Sequence, residues 1–184
     1  MGRIIKRYES TIYGPYRVAY LRSGALTSLF LVGYVLVSRL LGAQVGTPES
    51  YGTDAVLLIA TGLFMMIYRN SLPDQKVTFK ELMLFGLGLV LTASVIYGLF
   101  LWLWCGVLYP EQADIFAETR IAAMPTPDEG GAEAAAAIDK VRHYSAFDWG
   151  FIGFFRSAVM GGLIAFFGAV LFRTEKGKVR SKTK

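Results

Sequence analysis

The sequence contains one cysteine, one histidine and few charged residues, and each shortage excludes a class of site. Only 18% of the 184 residues are charged, below the quarter or so that is usual in globular domains. Cys105 has no second cysteine with which to form an intramolecular disulfide, and its apolar surroundings are typical of a buried thiol. His143 lacks cysteine, histidine or acidic companions at metal-ligand spacing, so we predict no metal site.

The patterns that catalysis or nucleotide binding requires are also missing. The sequence has no Ser-His-Asp candidate set, no phosphate-binding glycine loop and no intramembrane His/Asp cluster. We therefore expect no catalytic residues, no cofactor and a protein that is not an enzyme. We expect no nucleic acid as a partner, because the basic residues lack a folded soluble platform.

What the sequence does contain is long stretches without charge, of which the longest covers residues 82–109. As a helix it would measure roughly 42 Å, more than the roughly 30 Å hydrocarbon core of a bilayer. Trp102, Trp104 and Tyr109 are aromatic residues of the kind that mark a membrane interface. With 54% hydrophobic residues in the whole chain, these features predict an integral membrane protein.

Four apolar stretches predict an all-α fold with four transmembrane helices. The predicted spans are residues 23–42, 53–68, 82–109 and 149–172. The second span is short, roughly 24 Å if it is wholly helical. The first follows a basic segment, as the core of a secretory signal does, but it is longer and lacks a cleavage pattern. We interpret it as a signal anchor that stays in the membrane.

The polar segments predict two tails and one external module. Residues 1–22 form a basic, tyrosine-rich tail, and residues 173–184 form a second basic tail. Residues 110–148 hold eight acids against three bases, and two helical patterns around a Pro/Gly-rich break predict a helical hairpin at the membrane surface. Thr78 and Glu81 have capping-box spacing before the third span.

The distribution of basic residues predicts the orientation. The N-terminal tail has five, the turn between the second and third spans has three, and the C-terminal tail has six. By the positive-inside rule both termini are cytoplasmic and the hairpin is extracytoplasmic. The basic tails are suited to contact with anionic lipid.

Three charged residues fall within the predicted spans: Arg39, Asp54 and Arg156. A charge at membrane depth costs roughly 2.5–3.5 kcal/mol on insertion scales and usually marks pairing or a pathway. An ion pair between Arg39 and Asp54 is one interpretation, and contact with head groups is another. For Arg156, the partner is Asp54, Asp148 or a lipid phosphate. A structural charge and an anion or proton path both remain open.

Small residues recur every four positions in the fourth span, at Ser157, Gly161, Ala165 and Ala169. This spacing produces a smooth stripe on one helix face, against which another backbone can pack closely. The partner is either a second copy of the chain or another helix of the same bundle.

Two blocks of the sequence resemble a known family. The first is AVLLIATGLFMMIYRNSLPDQKVTFKELMLFGLGLVLTASVIYGLFLWLWCGVLYPE, residues 55–111, in which "TF" links an Arg-containing turn to an aromatic-ended helix. The second is an acidic helical loop that returns through an aromatic-rich span to a basic end. Over residues 54–173 they resemble domain-of-unknown-function family forty-one ninety-nine, small four-span inner-membrane proteins of Bacteroidota. The alanine-rich loop and the tyrosine-rich tail depart from that pattern. The resemblance implies topology and a bacterial inner-membrane location, but no activity.

Two function hypotheses follow. In the first, the protein is a non-enzymatic accessory or assembly subunit whose partners are lipid, another membrane protein or a second copy of the chain. In the second, it is a small oligomeric permease with Arg39, Asp54 and Arg156 lining the path. Four helices rarely enclose a path, so the second hypothesis requires self-association.

Overall fold

All regular structure in the described part of the chain is helical, which confirms the all-α prediction. The computed structural model describes residues 16–41, 51–72 and 76–174. The helices, in chain order, are α1 Tyr16–Leu40, α2 Tyr51–Ser71, α3 Phe79–Leu103 with a π-helical turn Trp104–Leu108, α4 Glu111–Ala122, α5 Pro127–Arg142 and α6 Ala146–Phe172. Predictions for residues 1–15, 42–50 and 175–184, which include most of both basic tails, lie outside the described residues.

Four of these helices are long and apolar enough to cross a membrane, as the sequence predicts. They cover Val18–Leu40, Tyr51–Ser71, Phe79–Leu108 and Ala146–Phe172. The protein is therefore a multi-pass membrane protein. The second span has 21 residues, about 31 Å of helix, and is longer than predicted. The polar residues Arg69, Asn70 and Ser71 continue the helix beyond the apolar stretch from which the bounds were predicted.

Side chains at the helix starts account for two of the boundaries. The predicted capping box is confirmed at α3: the N–H of Thr78 donates to Glu81 Oε2 over 2.8 Å, and the N–H of Glu81 donates to Thr78 Oγ1 over 3.3 Å. A second box, Ser145 with Asp148, begins α6. Each box satisfies backbone N–H groups that have no partner within the helix.

Helix α3 is the centre of the bundle and lies between α1 and α6. A Cβ added at Gly24 of α1 would lie 2.6 Å from the carbonyl oxygen of Leu89, and one at Gly86 would lie 2.8 Å from Ala165 Cβ. The missing side chains therefore allow these backbones to approach closely. At the end of the bundle where α2 ends and α3 begins, here called the loop end, Val77 and Thr174 join α3 to α6 through two hydrogen bonds of 2.8 and 3.1 Å.

The predicted helical hairpin is present between the third and fourth spans, at the opposite, hairpin end of the bundle. It consists of α4 and α5, and α5 is kinked at Gly131, where φ is 63°, a backbone conformation that favours glycine. Phe116 and Val141 are buried, and the ring of Phe116 contacts Trp149 at the start of α6 with 5.5 Å between ring centroids. The hairpin is thus packed onto the bundle.

Candidate functional site

An ion pair between Asp54 and Arg156 is the principal polar feature of the transmembrane part that the structure describes. Nη2 of Arg156 donates to Asp54 Oδ2 over 2.6 Å. The sequence left three candidate partners open for Arg156, and in the structure its partner is Asp54. Asp148 instead accepts hydrogen bonds from the N–H and hydroxyl of Ser145.

The register between α2 and α6 brings the two charges together. Met65 lies against Gly168, where an added Cβ would be 2.9 Å from the Met65 sulfur. Asp54 precedes Met65 by 11 residues and Arg156 precedes Gly168 by 12. Because α2 and α6 run in the same direction, similar offsets place both residues at the same level.

The pair lies deep along α6 but near the start of α2. Ten residues of α6 precede Arg156, which places it about 15 Å along the helix, half the thickness of a hydrocarbon core. Asp54 is the fourth residue of α2. Helix α6 therefore extends about two turns further toward the hairpin than α2 does.

The surroundings of the pair are partly polar. The side chain of Asp54 is 17% exposed and that of Arg156 is 31% exposed, so the pair lies at the edge of the bundle. Nε of Arg156 is buried and has no hydrogen-bond partner among residues 16–41, 51–72 and 76–174. Tyr97 of α3 is fully buried beside Thr53 and Asp54. Together these groups form a polar cluster at membrane depth.

Arg39 occupies a second and separate site at the hairpin end. Its guanidinium lies 3.9 Å from the ring centroid of Tyr109 and 5.8 Å from that of Trp104. Nη1 donates to Gln112 Oε1 over 2.8 Å, and Nη2 donates to Glu111 Oε1 over 3.1 Å. These four contacts, here called the Arg39 clamp, attach α1 to the π-helical turn and to the first turn of α4.

The structure therefore corrects the suggested ion pair between Arg39 and Asp54. Each of these residues has another ionic partner, Glu111 for Arg39 and Arg156 for Asp54. Glu111 and Gln112 are not predicted as partners of Arg39, because they follow the third span, more than 70 positions along the chain. Only the π-helical turn and the start of α4 bring them within reach.

Glu111 is held in its charged form. Its pKa lies below the ordinary value, first because its own backbone N–H donates to the carboxylate and then because Arg39 donates to it. Both interactions stabilise the carboxylate over the acid. Glu111 is exposed to solvent, and it contributes an orienting contact to the clamp.

The small-residue stripe faces another helix of the same chain. Ser157, Gly161, Ala165 and Ala169 are all buried. A Cβ added at Gly161 would overlap Cγ1 of Val90. Ala165 lies against Gly86. Both contacts are to α3, so this stripe is occupied within the bundle.

The described part of the chain contains no metal site: no three His, Cys, Asp or Glu side chains lie close enough together there to hold a metal ion. His143 lies on the exposed hairpin, with Nδ1 2.8 Å from the carbonyl oxygen of Asp139.

A family model described as "Protein of unknown function (DUF4199)" matches residues 22–174. This range includes most of the first span, the other three spans and the hairpin. Neither a curated protein nor a solved structure matches the chain.

Proposed function

The chain belongs to the DUF4199 family of proteins of unknown function, and on that premise we propose that it is a non-enzymatic accessory or assembly subunit of the bacterial inner membrane. Its termini are cytoplasmic and its hairpin is extracytoplasmic in this proposal, which follows from the positive-inside rule. Its partner is another membrane protein that contacts the hairpin.

The observation that carries the proposal is the firm attachment of the hairpin to the bundle. Phe116 and Tyr144 both contact the ring of Trp149, each with centroids 5.5 Å apart, and the Arg39 clamp holds the first turn of α4. A module anchored at several points presents its outer surface in one orientation, which lowers the entropic cost of binding a partner.

The exposed surface of the hairpin is acidic. The exposed acids are Glu111, Asp114, Glu118, Asp128, Glu133 and Asp139. A partner with a basic surface complements it, and such complementarity increases both specificity and association rate. In contrast, Asp54 and Arg156, two charged residues within the spans, are paired with each other, and that arrangement suits a structural role.

Affinity purification of the C-terminally tagged chain in nanodiscs tests the proposal. We expect a second protein in stoichiometric amount. Charge reversal at Asp114 and Glu118, which are exposed one turn apart on α4, should reduce its recovery at least tenfold. Asn70→Lys adds one positive charge at the loop end and serves as a control for position, which should retain the partner. A homo-oligomer with nothing bound would refute the accessory role.

One observation favours the permease as a second candidate. The charged pair lies at membrane depth, where charges often mark ion pathways, and Arg156 is partly exposed with an unpaired Nε in the described structure. Proteoliposomes that contain the wild type or the Asp54→Leu/Arg156→Leu double variant distinguish the two functions. A permease for protons or chloride loses flux in the variant, whereas an accessory subunit shows no flux in either form.

A further inference from the structure

A groove runs along the membrane-facing side of the bundle between α1 and α3, in the half nearer the loop end. Its volume is about 770 Å³. Tyr20 and Leu21 of α1 form one wall, and the remaining lining residues belong to α3, between Leu84 and Ile96. We call it the α1–α3 groove. It lies within two candidate membrane spans, so hydrocarbon is its natural surrounding.

The length of the groove matches one leaflet. Its residues on α3 extend from Leu84 to Ile96, about 18 Å of helix, while half of a 30 Å hydrocarbon core is about 15 Å. Beyond Val95 a different groove of about 320 Å³ begins, and α6 forms its other wall. A lipid acyl chain fits the α1–α3 groove better than a membrane-spanning helix does.

A cation lies at the end of this groove. Lys80, Leu84, Leu87 and Leu91 follow a spacing of four, three and four residues, so they share one face of α3. Lys80 is exposed, one turn nearer the loop end than Leu84. It has no ion pair or hydrogen bond with any residue in the described ranges. The neighbouring carboxylate, Glu81, is engaged with the N–H of Thr78.

We propose that the α1–α3 groove binds an anionic phospholipid, with an acyl chain on the apolar face of α3 and the phosphate at Lys80. The ammonium of a lysine at a helix end extends to the head-group level while its stem covers apolar surface. The loop end faces the cytoplasmic leaflet in the orientation proposed above, where basic residues beside a span attract anionic head groups. The site goes beyond the accessory role and does not depend on it.

Native mass spectrometry of the full chain tests the site. The protein is released from nanodiscs that contain equal amounts of phosphatidylglycerol and phosphatidylcholine with identical acyl chains. The wild type should retain phosphatidylglycerol in preference to phosphatidylcholine. Lys80→Gln should reduce that retention about fivefold, the effect of one basic residue at an anionic surface. Lys80→Arg should restore it. Arg69→Gln removes a charge from the same end on another helix and should leave retention unchanged.

A second pair of variants tests the acyl-chain part. Leu91 lines the groove and Leu163 lies on α6 outside it, and both are 51% exposed. Leu91→Trp fills the groove and should reduce lipid retention, whereas Leu163→Trp should not. Equal losses in Lys80→Gln and Arg69→Gln would show general electrostatic attraction and overturn the site. Crosslinking of two copies through Leu91→Cys in a Cys105→Ser background would show that a second chain occupies the groove, and would also overturn it.

Discussion

The charge of Arg156 is tolerated at membrane depth because Asp54 lies 2.6 Å away. The two side chains are only partly buried, so their attraction is smaller than that of a pair enclosed on every side. Removal of one partner nevertheless leaves the other side chain at membrane depth without its ionic partner, which costs more than the pair itself contributes. The pair is therefore best tested by single and double replacement.

Arg156→Leu should destabilise the bundle by about 2–3 kcal/mol, because Asp54 then loses its ionic partner at membrane depth. The measurement is unfolding of the purified protein in mixed micelles with increasing SDS. The double variant Asp54→Leu/Arg156→Leu removes both charges and should recover most of the loss, since apolar replacements of a pair are often neutral. Equal destabilisation in the single and double variants would contradict the ion-pair account.

The contact between Arg39 and Glu111 should depend on pH. The pKa of Glu111 is lowered in the folded protein, so its contribution to stability is present above the unfolded glutamate pKa of about 4.3. That contribution is lost as the pH falls through the lower, folded value. We expect wild type to resist cleavage of the hairpin by pepsin better than Glu111→Gln at pH 5, with the difference decreasing toward pH 3. A difference that does not change with pH would contradict this assignment.

The sequence showed which residues carry charge at membrane depth but not how they pair. Arg156 had three candidate partners, and the choice of Asp54 depends on the register between α2 and α6, which Met65 and Gly168 set through a tertiary contact. The partners of Arg39 depend on a π-helical turn, for which the sequence gives no periodic signal. Pairings between distant residues need the assembled bundle.

At the scale of helices, sequence patterns were more informative. Spacing alone predicts the Thr78–Glu81 capping box. The Ser145–Asp148 box is not predicted, because both residues precede Trp149, where the predicted fourth span begins. The lengths of the apolar stretches predict the four spans. The helices themselves extend beyond those stretches into polar residues such as Asn70. Spacing also predicts the small-residue stripe of α6. Only the contacts in the structure show that α3 is the helix that covers it.

Two adjacent glycines of α6 provide a matched test of this packing. A Cβ on Gly161 would overlap Val90, whereas the nearest atom to one on Gly162 is Leu87 Cδ2 at 4.0 Å. Gly161→Ala should therefore destabilise the bundle by about 1–3 kcal/mol through overpacking. Gly162→Ala should be neutral or stabilising by up to about 1 kcal/mol, because alanine favours the helix. SDS unfolding measures both. A neutral Gly161→Ala would show that α3 and α6 are loosely packed there.

At the scale of the whole molecule, four spans and one hairpin divide the polar surface unequally between the two sides of the membrane. Acids predominate on the hairpin, and bases predominate in the tails and the turn at the loop end. The four spans in the described part of the chain place the start of α1 and the end of α6 on the same side of the membrane. The orientation therefore follows from a comparison of the basic residues that flank the spans.

Labelling of single cysteines in cells tests this orientation. In a Cys105→Ser background, Asp114→Cys lies exposed on α4 and Asn70→Cys lies exposed at the loop end. A membrane-impermeant maleimide added outside the inner membrane should label position 114 at once and position 70 only after permeabilisation. The wild-type Cys105, 3% exposed, should remain unlabelled in both conditions, because a buried thiol excludes the reagent. The reverse pattern would place the acidic hairpin in the cytoplasm, where it would meet a different set of partners, and would transfer the proposed lipid site at Lys80 to the outer leaflet.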